Sequence, residues 1–232
     1  MSPPGTILIS GANRGLGLGL ALEFAGQGWR VFGGCRRPDG ATELRRGGVE
    51  PLALDVCDER TVHAAMIRVR ELAGGLDVLV NNAGINPFPR DASVAEFPLE
   101  KVRAALEVNV VGAWRLLQAA VPLLSARAAP RVVNMSSGAG SLTHNPVARG
   151  MPAYCVSKAA LNMLTCRAAR DLPDITVVSI SPGWVRTDMG GPDASLAVGE
   201  VATALAATIT RLNLEHSGQW LDRFGQPSEF AW

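Results

Sequence analysis

A parallel β-sheet covered by helices on both faces is predicted from three observations. Short apolar, β-branched runs recur along the chain. They alternate with longer segments of helical period, and the first run leads directly into a glycine-rich turn that opens a helix. The runs are continuous rather than alternating, as expected of strands buried on both sides. The predicted fold class is therefore α/β: a doubly wound, mostly parallel seven-stranded sheet with right-handed crossovers.

Six runs predict strands: Thr6–Ser10, Trp29–Cys35, Pro51–Val56, Leu76–Asn81, Arg131–Ser136 and Ile175–Ser181, with a weaker seventh at Gly218–Leu221. Between them, Leu16–Gln27 sets Leu16, Leu20 and Phe24 on one stripe, and Glu59–Ala73 does the same with Val62, Met66 and Val69. Leu99–Arg127 predicts a long helix kinked or broken near Pro122, whose ring cannot continue the hydrogen-bond ladder. Tyr154–Asp171 stops before Pro173, and Leu196–Thr210 is rich in Ala and Leu. No repeat or linker-like shift interrupts the pattern, so residues 1–232 are expected to form a single dinucleotide-binding and catalytic domain.

Composition excludes several functional classes. Apolar residues make up 47% of the chain and charged residues 19%, which argues against disorder. The net charge of +1 gives no global field to gather nucleic acid or an anionic membrane. No run of about 18 apolar residues predicts a membrane span, and Met1–Gly5 lacks the basic and apolar stretches of a signal peptide. Cys35, Cys57, Cys155 and Cys166 form no C-x-x-C, so reduced, buried thiols in a cytoplasmic protein are expected, with Cys155 packed rather than reactive. His63, His144 and His216 are scattered and read as structural or surface residues, and no metal site is expected. Arg45 and Arg46 read as a solvated helix end.

Gly11, Gly15 and Gly17, with Asn13, Arg14 and Leu16 between them, form a G-x-x-x-G-x-G turn from strand to helix. Glycine permits the tight turn, close approach to a pyrophosphate and close helix packing, and the helix N-terminus supplies free N–H groups and partial positive charge. In this position the turn points to a Rossmann-type dinucleotide site. An NAD-binding chain usually places an acid after the second strand for the ribose 2′-hydroxyl. Here the strand runs into Arg36 and Arg37, with no acid before Asp39. Convergence of Arg36 with Arg14 would suit a 2′-phosphate, so NADP(H) is expected over NAD(H). The alternative is that Arg36 and Arg37 are solvated surface charges.

Tyr154 and Lys158 open a helical pattern at i and i+4, so both side chains leave one face. A phenol with an ordinary pKa near 10 is a poor acid–base group at neutral pH, and a neighbouring ammonium is expected to lower that value. Tyr154 is the only tyrosine in the chain and Lys158 one of two lysines, with Arg used almost everywhere else, so their meeting at this spacing argues against accident.

With these motifs in hand, the sequence resembles the short-chain dehydrogenase/reductase family in its compact branch. The resemblance runs from Thr6 to about Gly218 and rests on Ser10–Gly17, Leu54–Val56, Asn81–Gly84, Asn109, Asn134–Ser137, Tyr154–Lys158 and Pro182–Thr187. The stretch Pro182–Met189 looks most like NADPH-dependent carbonyl reductases and C-signal-like proteins. The resemblance implies Tyr154 as acid–base residue, Lys158 as holder of the nicotinamide ribose, Ser137 as the hydrogen-bond partner of the substrate oxygen, and Asn109 as anchor of a relay water. It further implies that Asp55 and Val56 touch the adenine and that Asn82, Ala83 and Gly84 line its ribose. Val185 and Thr187, after Pro182 and Gly183, would fix the carboxamide.

Two departures from the family pattern stand out. Ser10 replaces a Thr, and the gap from Ser137 to Tyr154 is long, which leaves Ser136 and Ser141 as alternatives for the catalytic serine. The added residues, His144–Met151 with Pro146 and the adjoining Pro152, are expected to form a loop beside the pocket. The glycine turn, Asn82–Gly84, Ser137 and Pro182–Thr187 all follow predicted strands, so they should converge at the carboxyl edge of the sheet. Trp184–Ser195 could close over the substrate there, with Trp184 and Met189 facing inward, though those two side chains could equally pack on the core. The expected function is an NADPH-dependent oxidoreductase interconverting a small-molecule ketone or aldehyde with an alcohol. The alternative is an NAD(P)-binding signalling or regulatory protein with vestigial catalysis. The resemblance also implies a homodimer or homotetramer through the two long helices.

Overall fold

The computed structural model describes residues 3–87, 92–143, 150–229 and 232. Seven strands form one sheet: β1 (Thr6–Ser10), β2 (Arg30–Cys35), β3 (Glu50–Ala53), β4 (Val78–Asn81), β5 (Arg131–Met135), β6 (Thr176–Ser181) and β7 (Trp220–Asp222). Their order is β3-β2-β1-β4-β5-β6-β7, and every pairing is parallel. The order reverses between β1 and β4, which opens a crevice at their carboxyl ends.

The helices are α1 (Gly15–Gly26), α2 (Thr42–Arg46), α3 (Glu59–Ala73), α4 (Leu99–Leu106), α5 (Gly112–Leu124), α6 (Pro152–Asp171) and α7 (Val198–Arg211). Successive strand side chains point to opposite faces. Ile7 and Ile9 therefore pack with Leu20 and Phe24 of α1 and Leu205 and Ile209 of α7, while Leu8 packs with Val62, Met66 and Val69 of α3 and Leu116 and Ala120 of α5. Two cores on two faces explain why the strands read as continuous apolar runs.

Several boundaries differ from the sequence reading. β3 ends at Ala53, and Leu54–Val56 leave the sheet as a turn in which the Asp58 N–H donates to the Asp55 carbonyl. The fourth strand starts at Val78, and the last spans Trp220–Asp222. The long helix does not break at Pro122, which lies inside α5 close to its end. It is interrupted instead by a π-helical turn, Glu107–Val111, carrying Asn109. A proline near the last turn removes one hydrogen bond where the helix is about to end anyway, whereas a π-bulge widens the ladder mid-helix. The short α2 was not anticipated beyond Arg45 and Arg46, which occupy its last turn.

Candidate active site

The glycine turn is braced from the neighbouring strand. Ser10 Oγ donates to the Val80 carbonyl and accepts from the N–H groups of Asn82 (3.0 Å) and Ala83 (3.1 Å). Asn82 Nδ2 donates to the carbonyls of Ser10 (2.9 Å) and Gly11 (3.2 Å). Gly11 holds φ +67°, with a would-be Cβ 3.0 Å from Ala83 Cα, so only glycine fits the turn. The N-terminus of α1 has no side-chain cap and no acid in its first turn, unlike α3, which Asp58 caps. Its N–H groups are thus available to a phosphate. Arg36 and Arg37 are exposed at the end of β2, beyond the same edge. These features fit a dinucleotide phosphate chain.

The Arg14 guanidinium is engaged by Asp188 at 2.6 Å, on the segment after β6. Asp55 Oδ1 caps its own turn through the Cys57 N–H, and Val56 is buried under α5. Gly183 has φ +89°, Val185 is buried and bridges to Leu196, and Thr187 Oγ1 accepts from the Gly190 N–H at 3.1 Å. Trp184 is exposed, with its indole N–H donating to the Gly190 carbonyl, so it does not present an inward apolar face. Met189 also remains partly exposed.

Asn109 is buried in the π-turn. Its Oδ1 accepts from the Ile85 N–H, and its Nδ2 donates to the Ile85 carbonyl and to Ser157 Oγ, all at 2.8–2.9 Å. Ser157 in turn donates to the Tyr154 carbonyl at 2.8 Å. The π-bulge thereby ties the chain leaving β4 to the first turn of α6.

The three candidate serines separate clearly. The Ser137 hydroxyl lies beside the Tyr154 phenol, whose ionised form it favours, and Ser137 caps a short 3-10 turn, Gly138–Gly140, just beyond β5. Ser136 is buried and donates to Asn162 at 2.5 Å. Ser141 is buried at the end of the 3-10 turn. Lys158 is buried, donates to the Met135 carbonyl at 2.7 Å, and has Nζ 5.5 Å from the Tyr154 ring centroid.

The electrostatics depart from the sequence expectation. Burial pushes the Tyr154 phenol up to about 12, opposed by the neighbouring Ser137 hydroxyl. Burial also pushes the Lys158 amine down to about 8. Both follow because desolvation disfavours the charged forms. Burial, rather than the neighbouring amine, therefore sets the direction in which the phenol shifts.

Of the other groups, His63 pairs with Glu59 on α3, and His216 completes a capping box with Asn213. His144 lies outside the described residues, as do residues 145–149 of the anticipated pocket loop. Gly150 and Met151 are described, and Met151 is the one non-glycine residue with positive φ (58°) among the described residues, just before α6. All four cysteines are free, but only Cys35 is buried as expected; Cys155 and Cys166 are half-buried, burial raising both thiols, and Cys57 is exposed. The sequence reading missed Asn162, Thr165 and Ser157, although the first two continue the Tyr154–Lys158 stripe along α6 at helical spacing.

The short chain dehydrogenase family matches residues 5–195. The C-signal protein of Myxococcus xanthus is 37% identical over 161 residues, covering 68% of this chain and 94% of that one. Among solved structures, the carbonyl reductase Sniffer of D. melanogaster is 33% identical with a TM-score of 0.89, covering 98% of this chain and 99% of that one. The NADPH-bound carbonyl reductase from chicken fatty liver is 31% identical with a TM-score of 0.90, over the full length of both chains.

Proposed function

The chain belongs to the short-chain dehydrogenase family and is an NAD(P)-dependent oxidoreductase, and from this we propose that it interconverts a ketone or aldehyde with an alcohol, using NADP(H), with Tyr154 as the acid–base group. The observation that carries the reading is the placement of the Ser137 hydroxyl beside the Tyr154 phenol, with the buried Lys158 amine one turn along the same helix. When bound, the nicotinamide supplies the hydride for reduction and receives it in oxidation. Ser137 holds the substrate oxygen as negative charge develops there. Tyr154 delivers its proton to that oxygen, and Lys158 supports the return of a proton from solvent, with Asn109 anchoring a relay water.

In this reading Gly11, Asn13, Arg14, Gly15, Leu16 and Gly17 cradle the pyrophosphate. Asp55 and Val56 meet the adenine, and Asn82, Ala83 and Gly84 border its ribose. Pro182, Gly183, Val185 and Thr187 hold the carboxamide, and Arg36 grips a 2′-phosphate. Support for NADP(H) comes from the basic pair at the end of β2 and from the NADPH-bound chicken relative. The chain acts as a single unit for cofactor binding and catalysis.

No helix among the described residues is long and apolar enough to cross a membrane, and we place the activity in the cytoplasm on the strength of four free cysteines. Val111 and Trp114, near the start of α5, and Val156 and Met163 on α6 are exposed. These two helices pack together through Ala113, Leu161 and Leu164. Such a joint apolar face supports a homodimer or higher assembly.

The test is oxidation of NADPH against a panel of ketones and aldehydes, with Tyr154→Phe alongside. Turnover in the wild type, reduced about 100-fold or more in the variant with cofactor affinity retained, is expected. Unchanged turnover in the variant refutes the assigned role of Tyr154. The C-signal relative favours a second reading, a cofactor-binding signalling protein, and absence of turnover across the panel would select it.

A further inference from the structure

Four polar residues of α6 lie on one stripe: Tyr154, Lys158, Asn162 and Thr165. Their partners are four consecutive residues at and beyond the end of β5. Asn134 Nδ2 donates to Thr165 Oγ1 at 2.9 Å, Lys158 Nζ to the Met135 carbonyl at 2.7 Å and Ser136 Oγ to Asn162 Oδ1 at 2.5 Å, and the Ser137 hydroxyl lies beside the Tyr154 phenol. The Asn134 end is anchored across the sheet, where register sets Asn81, Asn134 and Ser179 side by side. Asn81 Nδ2 donates to Asn134 Oδ1 at 2.8 Å, and Ser179 Oγ lies 2.8 Å from Thr165 Oγ1. Thr165 spends its one hydroxyl proton on the Leu161 carbonyl, so Ser179 is the donor in that contact.

We propose that Ser136 and Asn162 are positioning residues, whose buried hydrogen bond holds α6 at one register on β5 and so keeps the Tyr154 hydroxyl against Ser137. The proposal rests on the reading of Tyr154, Lys158 and Ser137 as the reactive groups. Two physical points carry it. First, the pair is a poor device for stability alone. Both residues are 3% exposed, yet Asn162 Nδ2 has no hydrogen-bond partner among the described residues. An unpaired buried amide is a burden that apolar residues of the same shape would avoid. What a directional polar contact adds to a core is a unique geometry. Second, the neighbouring stitch has another task. The Lys158 ammonium has three donors, and once some of them engage a ribose the position of the amine answers to the ligand as well as to the Met135 carbonyl, so a pin that takes no part in binding keeps the helix in register. Ser136–Asn162 lies one turn further along the helix and serves that purpose.

The single tyrosine makes the proposal directly readable. Protein labelled with carbon-13 at the tyrosine Cζ has one such resonance, and Ser137→Ala should change its position at neutral pH by removing the hydroxyl beside the phenol. In a double-mutant cycle, Asn162→Ala is expected to reduce that change to less than about half of its size in the wild-type background. Ser136→Ala removes only the oxygen, keeps the core volume, and carries the same expectation where Asn162→Ala fails to fold. Ser136→Thr retains the hydroxyl and should restore the full change. Thr208→Ala, which deletes a buried hydroxyl bond on α7 away from the site, should leave it intact. A full-size change in both the Ser136→Ala and Asn162→Ala backgrounds overturns the proposal. In turnover, Asn162→Ala should lower kcat about tenfold with KM for NADPH unchanged, because only alignment is lost. Coupling seen in a protein that reduces no carbonyl would leave the positioning role standing and remove the reductase reading. Turnover without coupling would do the reverse.

Discussion

The Nζ of Lys158 sits 5.5 Å from the centroid of the Tyr154 ring. At that distance a cation interacts with the ring face. The amine's hydrogen bond, however, goes to the Met135 carbonyl. The two groups are therefore assembled on one face of α6, and burial governs the ionisation of both.

Tyr154 should remain protonated well above pH 10 in the cofactor-free protein, because burial pushes its phenol up to about 12. The chain has no other tyrosine, so all phenolate absorbance belongs to this residue. Near-ultraviolet absorbance after rapid pH jumps, with Tyr154→Phe as baseline, should show no phenolate at pH 10. A wild-type phenolate signal already complete at pH 9 would contradict the burial argument. A phenol held protonated at neutral pH suits the reductive direction, in which it donates.

Lys158 makes the opposite contribution to stability. Its amine falls to about 8 in the folded chain from an ordinary 10.5. Between those values the unfolded chain binds the extra proton, so this group's contribution improves as pH rises from 8 to 10.5 and is least favourable below 8. Lys158→Met removes the buried ammonium while keeping an unbranched side chain. The melting temperature of the variant should exceed that of the wild type by most near pH 7, and the excess should shrink towards pH 10. An excess that does not vary with pH would show that the amine is not desolvated as described.

Much of the fold was legible because its signals are local. Continuous apolar runs such as Thr6–Ser10 and Ile175–Ser181 reported burial on two faces, and the glycine turn stood where a phosphate chain would enter. The π-turn around Asn109 was not legible. One residue added to a helical turn shifts the apolar stripe by about 100° but carries no residue type that marks it, whereas Pro122 is conspicuous in sequence yet falls where α5 has nearly ended. The Tyr154–Lys158 pairing was legible from spacing, but its ionisation was not, since spacing gives proximity and says nothing of solvent. The Asn81–Asn134–Ser179 row needed strand register, which no single segment encodes.

Cofactor choice should rest on the exposed basic pair after β2. Arg36→Asp places a carboxylate where a ribose 2′-hydroxyl would accept it and a 2′-phosphate would not. The wild type should bind NADPH more tightly than NADH, and the variant should lose at least about tenfold in NADPH affinity, the loss of one charge-assisted contact. Fluorescence titration with both cofactors checks this. Equal affinities in the wild type would assign Arg36 and Arg37 to the solvated surface instead.

Arg14 and Asp188 form a contact that a bound phosphate would have to share. The pair joins the glycine turn to the segment after β6 at 2.6 Å, with both side chains mostly exposed. Exposed pairs of this kind contribute about 0–1 kcal/mol, so Asp188→Asn should leave the melting temperature nearly unchanged. Its effect should fall on binding. Removing the carboxylate frees the guanidinium and takes a negative charge away from the phosphate path, so NADPH should bind several-fold more tightly, about 1 kcal/mol by the tenfold-per-1.4 rule. The gain should diminish as salt is raised, because the interaction is solvent-screened. Titrations at low and high ionic strength separate the outcomes. Weaker binding in Asp188→Asn at low salt would mean that the ion pair organises the glycine turn for the cofactor rather than competing with it.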